Sequence, residues 1–228
     1  MLRKPGACAT LIPMTSFVLV HGAWGGAWIW RRMVGPLRAA GHEVHAVTLT
    51  GDGERAHLRR PDISLQTHVD DVLGLIDAEE LADIVLVGHS YGGMVITGAA
   101  DALGTRVQQL VYVDAMVPLS GEGWGDGHPP EIVAARLAAA RANDNALPPP
   151  DPAAFGLADA DRDWLQRRHV PHPFGMYRVP LHFDAERWAR LPRTFIDCNR
   201  PAYPTIDAMR RRVRELQLLA LAAVVSRP

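Results

Sequence analysis

The residues best placed to do chemistry stand in one stretch, VLVGHSYGG, Val85 to Gly93. An apolar run breaks at Gly88-His89-Ser90-Tyr91-Gly92, and a helical pattern follows. A tight strand-to-helix turn of this kind puts its serine in strained backbone geometry and presents the hydroxyl at a helix N-terminus. There the helix dipole and unspent N–H groups favour developing negative charge. The pattern G-x-S-x-G is weak alone, and the bland reading is a buried turn with an incidental serine. The strand before it and the helix after it carry the stronger reading, with Ser90 as nucleophile. A second glycine-rich turn, HGAWGGAW from His21 to Trp28, ends an earlier strand. Its small residues let backbone approach a ligand closely. The N–H of Ala23, paired with that of Tyr91, would make a two-donor oxyanion hole. A nucleophilic serine also needs a base, usually a histidine further along the chain. The last histidine is His182, and 46 residues follow it.

The elements that must position these residues follow from hydrophobic period. Apolar, β-branched runs at 16–23, 42–51, 83–90, 106–115 and 193–198 read as strands. Helical spacing marks 28–41, 64–81, 91–104 and 205–216, with Ser64 and Thr205 as N-caps and Gly41 and Gly104 as stops. The segment 217–228 fits either a helix continuation or a last strand. Near-continuous apolar strands alternating with helices imply a parallel sheet covered on both faces. Residues 116–190 differ: glycine- and proline-rich joints, an alanine-rich helix and scattered aromatics imply a mostly helical lid over the sheet. The core is then 14–115 with 191–228. Residues 1–13 read as a disordered upstream extension, because MTSFVLVHG at Met14 makes a more natural start.

Composition narrows the function classes. A chain of 228 residues with 48% hydrophobic and 21% charged residues is ordinary for a globular protein. A net charge of −1 gives no electrostatic reason for nucleic acid or an acidic membrane as partner. The N-terminal apolar run is short and interrupted by Pro13, so neither a membrane span nor a signal peptide is expected, and the expected location is cytoplasmic. Cys8 and Cys198 make no metal motif, and a disulfide between them is not expected. An apolar tail could support a homodimer.

Three stretches, FVLVHGAWGGAWIW, GHSYGGMV and LVYVDAMVP, resemble the α/β-hydrolase superfamily. Within it they resemble the branch of plant methylesterases, hydroxynitrile lyases and bacterial pyrethroid-hydrolase-like esterases, over most of 16–215. The resemblance implies an α/β-hydrolase fold, a Ser–Asp–His mechanism, no cofactor and a small-molecule ester substrate. By position it makes Ser90 the nucleophile and Ala23 and Tyr91 the oxyanion donors. The chain departs from the family in two places. The family's acid follows the strand matching RTFIDC, where this sequence has Asn199-Arg200-Pro201. Asp114, at the end of the preceding strand, is preferred as acid over Asp207, with a turn-capping aspartate as its bland reading. The family's C-terminal Gly-His is replaced by QLLALAAVVSRP, as a frameshift, deletion or truncation would leave it. His128, His169, His172 and His182 belong to the lid, and each reads first as a loop residue. His89 should point away from Ser90, and His21 should be structural. Three readings follow: an active esterase with an unusual base, a hydrolase-fold binding protein, or a lyase. The lyase reading is the poorest, because the lyases need a hydroxyl where Gly22 stands and a lysine near the base. The only lysine here is Lys4.

Overall fold

The computed structural model describes residues 14–198 and 204–222. Six strands form one sheet: β1 (Ser16–Val20), β2 (Glu43–Val47), β3 (Ile84–His89), β4 (Val107–Val113), β7 (Arg193–Asp197) and β8 (Leu219–Ala222). Their order is β2-β1-β3-β4-β7-β8, and every pairing is parallel. The five expected strands are all present, each one to five residues shorter than its apolar run. The segment after 216 is decided in favour of a strand, β8, paired to β7 from Thr194↔Leu219 to Asp197↔Ala222. Three helices join the first four strands: α1 (Arg31–Ala39), α2 (Leu65–Ala78) and α3 (Gly92–Leu103). α7 (Asp207–Glu215) joins β7 to β8.

Alternation along the strands explains the layers. Val18, Val20, Ile84 and Leu86 face one core with α2 and α3, while Leu19, Val85 and Val87 face a second with Trp30 and the partly buried Val34 and Leu37 of α1. A period of two sends successive side chains to opposite faces, and both faces are covered. Ser64 caps α2 through a reciprocal pair with Thr67. Gly41 (φ 91°) follows the end of α1 with the left-handed backbone expected there. Two expected boundaries are corrected. The helix after Trp28 starts as a 3₁₀ turn, Ala27–Trp30, because the chain must bend around Gly26 before α1. Thr205 lies inside a 3₁₀ turn, Pro204–Ile206, and Ile206 holds the N-cap position of α7 without a side-chain cap.

The segment after β4 contains α4 (Pro130–Arg141), α5 (Asp159–Gln166) and α6 (Ala185–Arg190). It also holds a two-stranded antiparallel ribbon that the helical pattern did not indicate, β5 (Ala146–Leu147) with β6 (His172–Pro173). Two-residue strands are too short to show a period of two. α5 is fastened to α1 by the Arg32–Asp161 pair and by Arg31, whose guanidinium lies 3.9 Å from the Trp164 ring centre. Among the described residues no helix is long and apolar enough to cross a membrane.

Candidate active site

In a parallel sheet all carboxyl ends share one edge, and ligand sites gather there. His21–Ala23 leave β1 at that edge, Ser90 leaves β3, and Asp114 leaves β4. Ser90 has φ 51° and Asp114 φ 43°, both in the left-handed region that non-glycine residues avoid. The Ser90 N–H donates to Val113 O, and Ser90 O accepts from Gly93 and Met116 N–H, so neighbouring strand and loop hold the strained residue. The flanking glycines are needed for space. A Cβ at Gly88 would lie 2.6 Å from Gly92 O, and one at Gly92 would lie 2.7 Å from the carbonyl oxygens of Val20 and His21.

The β1 turn is pressed against the serine. A Cβ at Gly22 would sit 2.8 Å from Ser90 Cβ and 2.9 Å from His89 Nδ1. A hydroxyl-bearing residue at this position, which the lyases need, does not fit this backbone. The Ala23 and Tyr91 N–H groups flank this contact, and neither donates to another described residue. His21 fixes the turn. Its Nε2 accepts from Leu49 N–H at 3.0 Å, so Nδ1 carries the proton and donates to Gly22 O at 2.6 Å. Because Gly22 C=O and Ala23 N–H belong to one trans peptide, pinning the oxygen sets the direction of the N–H. Burial lowers the basicity of His21 and keeps this neutral tautomer.

The candidate carboxylates converge on one cation. Arg210 of α7 donates Nη2–H to Asp114 Oδ1 at 2.6 Å, Nε–H to Asp197 Oδ1 at 2.7 Å and Nη1–H to Asp207 Oδ1 at 2.8 Å. Burial pushes Asp114 up to about 6 against the pull of Arg210. Sequence reading missed Arg210, one of three consecutive arginines, since nothing in the run marks which one turns inward.

No histidine among the described residues hydrogen-bonds Ser90 Oγ or pairs with Asp114. His128 has both ring nitrogens occupied, by Arg136 and by Tyr177 OH. His182 is exposed. The backbone of the segment 169–172 crosses the glycine-rich turn after β1, with Val170 N–H donating to Trp24 O at 3.2 Å. His169 packs on Trp28 and Phe155. His172, three residues on, is fully buried, and its Nδ1 lies 2.8 Å from Oδ2 of the equally buried Asp52. His68 accepts from Tyr91 OH at Nδ1 and donates to Thr50 O from Nε2. Asp52 and His68 were not marked as site residues in the sequence. Asp52 lies in a polar loop, and His68 sits on the apolar stripe of α2. Among the described residues no group of three or more His, Cys, Asp or Glu side chains is arranged to hold a metal ion.

Comparison with known proteins places this geometry among relatives. Residues 17–225 match the model of the alpha/beta hydrolase family. The chain is 48% identical over 177 residues to a carbendazim hydrolyzing esterase of Nocardioides sp. (strain SG-4G), covering 74% of this chain and 73% of that protein. It is 39% identical over 114 residues to esterase PIR7B of Oryza sativa subsp. japonica, covering 48% of this chain and 41% of the rice protein. An extracellular alpha/beta-hydrolase from a Paenibacillus species superimposes with a TM-score of 0.82 at 23% identity, over 92% of this chain and 90% of the other. That last likeness concerns the fold alone.

Proposed function

Because this chain belongs to the alpha/beta hydrolase family, we propose that it hydrolyses carboxylic esters through an acyl-enzyme on Ser90. The observation that carries the reading is Ser90 itself, strained at φ 51° between β3 and α3, beside two unspent backbone donors. In this reading Ser90 Oγ attacks the ester carbonyl carbon. The new oxyanion accepts hydrogen bonds from Ala23 and Tyr91 N–H, the carbonyl–alkoxy bond breaks and the alcohol leaves with the Ser90 hydroxyl proton; water then cleaves the acyl–Ser90 bond, its hydroxyl going to the acid and its proton to Ser90 Oγ. Asp114 is the acid of this reading, and Arg210 occupies the carboxylate oxygen that a base's N–H would use. The buried lid aromatics Trp124, Phe174 and Trp188 favour substrates with apolar parts.

A second reading has its own support: Arg210 holds both candidate acids, Asp114 and Asp207, together with Asp197, and no described imidazole bonds Ser90 Oγ. In that case the fold binds a ligand and turns over slowly. Loss of a triad histidine alone can cost about 10⁶-fold in turnover. A p-nitrophenyl ester assay separates the two, with carbendazim as a further substrate because a relative carries its name. The esterase reading expects wild type to exceed Ser90→Ala by at least about 100-fold and a fluorophosphonate to label Ser90. Equal rates and an unlabelled serine would leave only the binding reading.

A further inference from the structure

The Asp52–His172 pair joins the core to the lid without entering the steps above. Asp52 lies in the loop after β2, and His172 opens the lid strand β6. Both side chains are 0% exposed. With Asp52 ionised and its Oδ2 2.8 Å from Nδ1, that nitrogen carries the imidazole proton, and Nε2 presents a lone pair. This Nε2 is buried and has no hydrogen-bond partner. Native structures pair nearly all buried polar atoms, and an exception asks for an explanation.

The surroundings say what kind of partner fits. The His172 ring stands edge-on to Tyr91 at 4.9 Å, next in sequence to the nucleophile, and to Trp124 at 5.5 Å. Trp124 continues to Tyr177 at 5.0 Å and Phe174 at 6.5 Å, and Arg136 lies 5.4 Å from its ring centre. Tyr91 belongs to the core, whereas Trp124, Phe174 and Tyr177 belong to the segment after β4, so the cluster lies between the two. Its flat walls suit a planar aromatic group. Among the described histidines, His172 alone has one nitrogen fixed by a buried carboxylate and the other unpaired.

Resting on the esterase reading for the site as a whole, we infer that His172, oriented by Asp52, recognises an N–H or O–H donor on a planar aromatic part of the substrate. Specificity of this kind is strong because an analogue without the donor leaves the buried acceptor unpaired.

The test uses two esters of one shape, methyl indole-2-carboxylate, which carries a ring N–H, and methyl benzofuran-2-carboxylate, which carries a ring oxygen instead. Calorimetry on Ser90→Ala gives their affinities without turnover. The expected result is about tenfold tighter binding of the indole ester, falling to parity when His172→Phe is added. Asp52→Asn, which leaves both tautomers of His172 open, should also reduce the preference, and it serves if the His172→Phe protein does not fold by circular dichroism. Equal affinities in Ser90→Ala, no binding of either ester, or a preference that survives His172→Phe or Asp52→Asn would overturn the inference. A preference seen by calorimetry with no hydrolysis by the Ser90 protein overturns the esterase reading and leaves recognition by His172 standing.

Discussion

His21 shows how one buried side chain can govern a backbone donor it does not contain. Its two ring nitrogens hold Leu49 N–H and Gly22 O, and through the Gly22–Ala23 peptide they aim the Ala23 N–H. Replacing it with phenylalanine keeps the ring and removes both bonds, leaving Leu49 N–H unpaired and Gly22 O with only the 3.3 Å bond from Gly25 N–H. His21→Phe is therefore expected to lower stability by about 1–3 kcal/mol in urea unfolding. Fluorophosphonate labelling of Ser90 should slow further than wild type destabilised to the same degree by urea. Labelling that tracks stability alone would mean that His21 only packs. The role of His21 as a structural residue was legible because it sits inside the glycine-rich turn. The roles of His68, Asp52 and His172 were not, since their partners lie 18 to 120 residues away.

At the scale of elements, α7 meets the carboxyl edge of the sheet through Arg210, while Arg212 pairs with Glu122 and the buried Met209 and Val213 join the core. Arg210 reaches β4, β7 and its own helix, and its side chain is only 9% exposed, like its partner Asp114 at 11%. Removing one member of a buried pair costs about 3–5 kcal/mol, because the other charge stays buried. Arg210→Met should therefore destabilise the protein by about that amount in urea. The double variant Arg210→Met, Asp114→Leu should recover a large part of it. Equal stability of the two variants would show that Asp114 finds another partner or water when Arg210 is lost. The helices and strands were readable because each needs only local period and capping. The ribbon β5–β6 was not, because its pairing joins Ala146 to Pro173 across the lid. The extension expected at 1–13 and Cys8 lie outside the described residues.

The whole molecule is set up to be sensitive to acid. Burial holds His68, His89 and His169 at about 4 and His128 and His172 at about 3. In the unfolded chain all five titrate near 6.5. Between those values the unfolded state binds more protons, so the stability is complete above pH 6.5 and is lost as pH falls towards 3–4. Asp52, raised to about 7, and Asp114, raised to about 6, act in the opposite sense and favour the native state on acidification. Five imidazoles outweigh two carboxyls. The melting temperature should fall by at least about 10 °C between pH 7 and pH 4.5. A flat profile across that window would mean that the imidazoles gain protons without unfolding.

The sequence by itself determined the strand-turn-helix at Ser90, the glycine-rich turn at Ala23 and the layered α/β order. Those features depend on neighbours in the chain: a hydrophobic period, a glycine where two backbones touch, a cap three residues from its acceptor. Only the tertiary structure decided the pairing of the buried polar groups. Arg210 sits 96 residues from Asp114, and His172 lies 120 residues from Asp52. Which donor meets which carboxylate follows from how far each is removed from water, and that is fixed only when the sheet, α7 and the segment after β4 have packed on one another.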